Sequence, residues 1–143
     1  MNTPRVIVCE RSRKWALALA RHLPGVSVLR QTRGLKEARA ELTSAPASLL
    51  VLELTTENRS GVLTLLGDLG DGFPLARAAV VAEADMKTYE WLIREAGASF
   101  FSSSVRDAQQ LARLAERHLG EVVSPGADLA GQIWDSLPWG EGR

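Results

Sequence analysis

The stretch from Ser48 to Gly61, which reads SLLVLELTTENRSG, decides the fold. Its first part, Leu49 to Leu54, is apolar except for Glu53, a pattern typical of a parallel strand that helices cover on both faces. The residues from Thr55 onward are polar and turn-forming, and apolar residues return at helical spacing after Gly61. The stretch therefore predicts a buried strand with Glu53 at its carboxyl end, then a polar loop and a helix.

The same alternation of strand and helix continues on both sides of this stretch. The predicted strands are Arg5–Glu10, Val26–Leu29, Leu49–Leu54, Ala76–Ala82 and Ala98–Ser103. The predicted helices are Ser12–Leu23, Gly34–Leu42, Gly61–Leu69, Asp85–Gly97 and Ser104–Leu119. The glycine-rich residues 67–74 are interpreted as a helix stop and a turn. This alternation predicts an α/β fold, a doubly wound five-stranded parallel sheet with helices on both faces.

Size and composition exclude several classes of function. The 143 residues suffice for one domain with a core, and a formal net charge of zero gives no overall attraction to nucleic acid or to an anionic membrane. Cys9 is the only cysteine, so no internal disulfide or thiolate zinc cluster can form. His22 is interpreted as a partly buried structural histidine. The N-terminal residues carry no secretory pattern, so we expect a cytoplasmic location.

Functional residues of a doubly wound sheet are expected where its strands end. The carboxyl ends of parallel strands meet at one edge, and ligands bind there in such folds. The segments to consider are therefore Cys9-Glu10 and residues 53–58, 82–85 and 102–104. Ser104 also lies three residues before Asp107, the spacing of a capping box at the start of the last helix.

Over about residues 4–122 the chain resembles the receiver domain of two-component response regulators. The matching features are the central strand with its acid, loop and Gly61, the Gly97-Ala98 step before the last strand, and Phe101 within that strand. The resemblance implies a flavodoxin-like sheet with the strand order 2-1-3-4-5. It also implies a chemistry in which two acids hold Mg²⁺, an Asp accepts a phosphoryl group, and a Ser or Thr and a Lys stabilise that group.

The residues that carry this chemistry in the family are replaced here. Cys9 and Glu10 stand for the acid pair, Glu53 for the acceptor, Ala82 or Glu83 for the hydroxyl, and Ser104 for the lysine. A glutamate is one methylene longer than an aspartate, which misplaces the attacking oxygen. We therefore expect no catalytic residues, no phosphotransfer and no required cofactor.

Two hypotheses concern the acids that remain. Glu53 could act as a permanent negative charge at the switch position, whereas the simpler interpretation is an acid that is solvated or paired with Arg11 or Arg13. Glu10, Glu53 and the Thr55 carbonyl could also form a weakened Mg²⁺ site, since carboxylates and waters can hold this ion.

Trp91 is the first candidate for a binding residue. In the fourth helix the predicted buried stripe is Tyr89, Leu92, Ile93 and Ala96, which turns Trp91 outward. An exposed tryptophan is a common interface anchor, and the alternative is that its ring lies over a neighbouring loop. The resemblance places the usual pairing face of receiver domains here, beside Arg106, Arg113 and Arg117.

The C-terminal tail is the second candidate. We divide the chain into a receiver-like domain, residues 1–123, and an interaction segment, residues 124–143, with Ser124-Pro125-Gly126 as a linker. The segment is too apolar for an inert disordered tail, and its candidate binding residues are Ile133, Trp134, Leu137 and Trp139. It packs on its own domain, docks on a second copy, or binds a different partner.

The sequence therefore favours a non-catalytic, receiver-like signalling or scaffold module that acts through protein–protein contacts, independently of aspartyl phosphorylation. Its expected partner is another signalling protein or a second copy of itself, with no nucleic acid and no membrane. One alternative is an atypical phosphoacceptor on Glu53 or on a nearby Ser or Thr. Another is a small-molecule-binding flavodoxin-like domain, with a pocket near Cys9 and residues 102–104.

Overall fold

The computed structural model describes residues 3–23 and 29–136, and from residue 123 onward it describes the backbone alone. The strands are β1 (Val6–Cys9), β2 (Leu29–Thr32), β3 (Leu49–Leu54), β4 (Arg77–Ala82) and β5 (Phe100–Ser102). The helices are α1 (Lys14–His22), α2 (Leu35–Ser44), α3 (Arg59–Gly72), α4 (Glu90–Glu95) and α5 (Ala108–Ser136), with short 3-10 helices at Ala84–Tyr89 and Val105–Asp107. All strands pair in parallel in the order β2-β1-β3-β4-β5, which confirms the predicted flavodoxin-like sheet.

The sheet separates two layers of core side chains. Because successive strand residues point to opposite faces, Leu50 and Leu52 pack on one side with α2, α3 and α4, while Leu49 and Val51 pack on the other with α1 and α5. All four of these β3 side chains are fully buried. A single buried leucine contributes about 1.5–3 kcal/mol to the free energy of unfolding, so this strand anchors both layers.

Strand β2 lies three residues closer to the C-terminus than the sequence predicted. The sequence predicted Val26–Leu29, whereas the strand is Leu29–Thr32, and residues 24–28 lie outside the described residues. The strand is at the edge of the sheet and pairs with β1 only. An edge strand tolerates polar residues, and Arg30 and Gln31 are exposed here, so the apolar pattern used for the prediction was misleading.

Two helices are longer than their sequence signals. The sequence predicted that α3 ends in the glycine-rich residues from 67 onward, whereas the helix continues through Gly67 and Gly70 to Gly72. Its buried apolar residues stabilise the helix by more than the low helix propensity of glycine destabilises it. Helix α5 continues beyond Leu119 to Ser136, through the linker predicted at 124–126. Within the part of the chain that the structure describes, neither these nor other helices combine the length and hydrophobicity needed to cross a bilayer.

The segment before α4 begins as a 3-10 helix, which changes which residues are buried. Met86 and Ile93 face the core, whereas Leu92, predicted to be buried, is 40% exposed. A 3-10 helix has three residues per turn instead of 3.6. The buried face that was predicted with α-helical spacing therefore differs from the buried face of the actual segment. Trp91 is 72% exposed, as predicted, and Gly97 ends the segment with a φ of 119°.

The prediction that His22 is a partly buried structural histidine is wrong. His22 is exposed on α1, whereas His118 on α5 is buried. The Nε2 atom of His118 lies 2.9 Å from the carbonyl oxygen of Ala47, in the turn between α2 and β3. A buried polar side chain needs such a partner, so this contact fixes α5 against the amino-terminal edge of the sheet.

A matched pair of glycine substitutions tests the backbone geometry. Gly97→Ala should lower the free energy of unfolding by about 1–2 kcal/mol, because a Cβ is strained at its positive φ. Gly67→Ala, on the exposed face of α3 with open space for a Cβ, should raise it by about 0.5–1 kcal/mol. Urea unfolding measures both, and equal effects of the two substitutions would contradict the assigned backbone.

Candidate functional site

The carboxyl ends of the strands form a polar edge, which we call the rim: Glu10, Glu53, Glu83 and Ser104, with Lys14 at the start of α1. Pairing of β1 with β3 in parallel, Cys9 opposite Leu52, brings the first two glutamates next to each other. The rim therefore unites the acids that the sequence analysis selected, and adds a lysine that it did not consider.

Glu10 caps helix α1 from outside the helix. Its Oε2 accepts the Trp15 N–H at 3.1 Å and its Oε1 accepts the Ala16 N–H at 2.8 Å. The side chain is only 5% exposed. A carboxylate is favourable at the positive end of a helix, and here it satisfies two main-chain donors that have no partner within the helix. Glu10 is therefore turned into the protein rather than towards the solvent side of the rim.

Burial alters the titration of both residues at the end of β1. It raises the pKa of Glu10 above its ordinary value, while the N–H groups of Ala16 and Trp15 act in the opposite direction. Burial likewise raises the pKa of the Cys9 thiol, with the neighbouring Thr32 hydroxyl opposing it. A buried thiol with a raised pKa is a poor nucleophile, so Cys9 serves as a small apolar residue of the core.

Glu53, the residue in the acceptor position, is held by the main chain. Its Oε1 accepts the Arg11 N–H at 3.0 Å, so the expected pairing with Arg11 involves the backbone and not the guanidinium. The following loop is closed by Asn58, whose Nδ2 donates to the Glu53 carbonyl and whose Oδ1 accepts the Thr55 N–H at 2.7 Å. Asparagine favours such turns, a signal that the sequence analysis did not use.

Lys14 supplies a cation at the rim. Its Nζ lies 3.0 Å from Oε1 of Glu83, one of the two residues at the expected hydroxyl position. Both side chains are substantially exposed, so this ion pair contributes at most about 1 kcal/mol to stability. The pair joins residues that are far apart in sequence, which is why no local motif could reveal it.

The hydroxyl groups after β5 are occupied by local hydrogen bonds. Ser102 Oγ lies 2.7 Å from Oδ2 of Asp107 and accepts the Ser104 N–H at 3.0 Å. Ser104 Oγ accepts the Arg106 N–H, which caps the 3-10 helix. The predicted capping box does not form, because Ser104 Oγ accepts the Arg106 N–H instead of the Asp107 N–H, and the Asp107 carboxylate bonds to the Ser102 hydroxyl instead of the Ser104 N–H. Ser104, which stands at the lysine position of the resemblance, places no positive charge near Glu53.

The rim residues do not fit the Mg²⁺ site that was considered. The described residues contain no cluster of three or more His, Cys, Asp or Glu side chains able to surround a metal ion. Both oxygens of Glu10 face main-chain N–H groups, and one oxygen of Glu53 does the same. Two carboxylates oriented in this way lack the open, oxygen-rich shell that Mg²⁺ requires.

Trp91 is the predicted binding residue whose side chain the structure describes. Trp91 and its neighbour Leu92 form an exposed apolar pair on α4, and the three arginines named with them are exposed on the α5 side: Arg106, Arg113 and Arg117. Ile133 and Trp134 lie in the part of α5 whose side chains are not described, and Leu137 and Trp139 lie outside the described residues.

The pH dependence of stability tests the environment of Glu10. Its folded pKa is raised above the ordinary value of 4.5, so the folded state binds more protons than the unfolded state just above this pH. The wild type should therefore lose free energy of unfolding, relative to Glu10→Gln, as pH rises from 4.5 through the raised pKa. Urea titrations of both proteins across this range measure the difference. If the wild type instead gained free energy of unfolding relative to Glu10→Gln as pH rises, the two N–H bonds would affect the pKa of Glu10 more strongly than burial does, which would contradict this account.

Comparison with known proteins does not identify a family for this chain. No family model, no curated protein and no solved structure matches this chain.

Proposed function

We propose that this chain is a non-catalytic, receiver-like signalling module of the cytoplasm, which acts through protein–protein contacts and independently of aspartyl phosphorylation. The observation that carries the proposal is the state of Glu53: its carboxylate accepts the Arg11 N–H, and the described residues gather no group of three or more His, Cys, Asp or Glu side chains around it. The strand order is that of the receiver fold, so the framework supports the resemblance while the chemistry does not.

The charges at the rim argue against transfer of a phosphoryl group to Glu53. Such a transfer needs positive charge around the equatorial oxygens and an attacking oxygen in line with the leaving group. The lysine that reaches the rim, Lys14, is paired with Glu83, and Ser104 binds the main chain of its own helix. A glutamate fixed by an N–H group beside a second, buried carboxylate repels an incoming phosphate.

The exposed pair Trp91 and Leu92 supports a role in recognition. Large apolar side chains that remain exposed on a helix are favourable anchors for a partner, because their burial removes apolar area from water. Exposed arginines on α5 supply the polar surroundings that are common at the periphery of a protein–protein interface. The partner we propose is another signalling protein or a second copy of this chain.

Incubation with a small phosphodonor tests the absence of phosphotransfer. After treatment with acetyl phosphate and Mg²⁺, the intact mass of the protein should be unchanged. A Glu53→Asp variant restores the shorter side chain and serves as the matched control; it should also remain unmodified, because the cation and hydroxyl positions are still altered. Addition of one phosphoryl group to the wild type would contradict the proposal.

Substitution of Trp91 tests the recognition surface. Trp91→Ala should weaken association by about 2 kcal/mol or more, roughly 30-fold, if the ring is an interface anchor. Sedimentation velocity measures self-association, and titration against a captured partner measures binding in trans. The control is Leu75→Ala, an exposed apolar residue outside α4, which should leave both unchanged.

Glu53→Gln extends the same binding measurement to the hypothesis of a permanent charge. If the negative charge of Glu53 holds the domain in its binding conformation, this variant should bind less tightly while keeping its fold. An unchanged affinity would contradict the hypothesis of a permanent charge at Glu53, but it would not contradict the proposed role in protein–protein recognition.

A further inference from the structure

A cavity of about 370 Å³ lies beside the rim, between the loops that follow β1 and β2. Three arginines line it, Arg11, Arg13 and Arg33, together with Gln31 and Thr32. The main chain closes its base, because the Glu10 N–H donates to the Thr32 carbonyl at 3.1 Å. Its volume falls within the range of about 300–1,000 Å³ that is usual for small-molecule sites.

The cavity lining carries three arginines against two glutamates. Within the described ranges none of its three guanidinium groups forms an ion pair; the arginines that do so there are Arg5, Arg39, Arg77 and Arg94. The Arg13 Nε donates to the Gln31 side chain at 3.2 Å, which positions its guanidinium. Of the two acids that line the cavity, Glu10 is occupied by two main-chain N–H groups and Glu37 is exposed.

Thr32 presents an unused hydroxyl to this cavity. The residue is 6% exposed, and its Oγ1 has no nitrogen or oxygen partner; its neighbour across the β1–β2 pairing is the Cys9 thiol, a weak hydrogen-bonding group whose pKa this hydroxyl lowers. Buried hydroxyl groups in folded proteins are nearly always hydrogen-bonded, so an unsatisfied one at the wall of a cavity points to a ligand oxygen.

The start of α2 adds main-chain donors on the same side. This ten-residue helix begins after Gly34 with no side-chain cap, so the N–H groups of its first turn keep their capacity to bind an anion. Nothing lies within 4 Å of the position a Gly34 Cβ would take, so the approach is open. Across the cavity, Arg13 adopts a φ of 31°, a conformation that only glycine adopts without strain.

We infer that this cavity binds a small phosphate monoester, with its phosphoryl group between the arginine guanidinium groups, the Thr32 hydroxyl and the first turn of α2. Arginine binds phosphate oxygens through paired N–H groups, and three of them match a dianion. The polar side chains of Gln31 and Glu37 line the remaining volume and suit hydroxyl groups of the ligand. The site is separate from the exposed pair on α4 and does not depend on the proposed function.

Calorimetric titration of the intact chain with ribose 5-phosphate tests the inference, at constant ionic strength and with ribose as the control ligand. Ribose 5-phosphate should bind saturably and ribose should not. Arg33→Ala should weaken binding at least tenfold, whereas Arg94→Ala, which removes the same charge from α4, should leave it unchanged. Equal losses from both variants would reveal non-specific attraction and overturn the assignment, as would the absence of saturable binding.

Two further variants separate a binding role from a structural one. Arg13→Gly relieves the positive φ, so it should raise the midpoint of thermal unfolding while it weakens ribose 5-phosphate binding. Thr32→Val removes the unsatisfied hydroxyl at nearly constant volume, so it should also weaken binding while the unfolding midpoint stays equal or rises. Unchanged affinity in both folded variants would overturn the inference.

Discussion

Burial of the parallel sheet on both faces is the constraint on which the structure depends. The middle strands β1, β3 and β4 carry almost only apolar side chains between two helical layers, and no polar residue can be placed there without a partner. Polar chemistry is therefore confined to the ends of the strands. The acids lie at the rim for this reason, and main-chain N–H groups fix the orientation of the Glu10 and Glu53 carboxylates.

The acids of the rim stabilise the fold through hydrogen bonds to nearby backbone. Glu10 replaces a conventional cap for α1, and Glu53 fixes the loop between β1 and α1 through the Arg11 N–H. The same short loop carries Arg13 in its strained conformation and turns its guanidinium towards the cavity beside β2. One segment thus joins Glu10 and Glu53 to the proposed anion site, and its N–H groups occupy carboxylate oxygens that a metal ion would need.

The fold was predictable from sequence because it depends on local patterns, whereas the site depends on contacts between distant residues. Apolar runs such as Leu49–Leu54 and breakers such as Gly97 predict the alternation of strands and helices, and the resemblance to receiver domains implied the sheet order that is observed. Polar residues of the edge strand β2 and the glycines of α3 misled the prediction, since tertiary packing overrides local preference. The direction of the Glu10 side chain and the pairing of Lys14 with Glu83 have no sequence signature.

Nuclear magnetic resonance of the amide groups tests most directly whether the rim is closed to metal and phosphoryl chemistry. The amides of Arg11, Trp15 and Ala16 donate to the two acids, so their chemical shifts report any ligand that takes over those oxygens. Addition of Mg²⁺ with beryllofluoride, an analogue of a bound phosphoryl group, should leave all three resonances in place. Saturable shifts of the Arg11 amide together with those of Trp15 and Ala16 would show that the acids bind metal and phosphoryl analogue, and would contradict a non-catalytic rim.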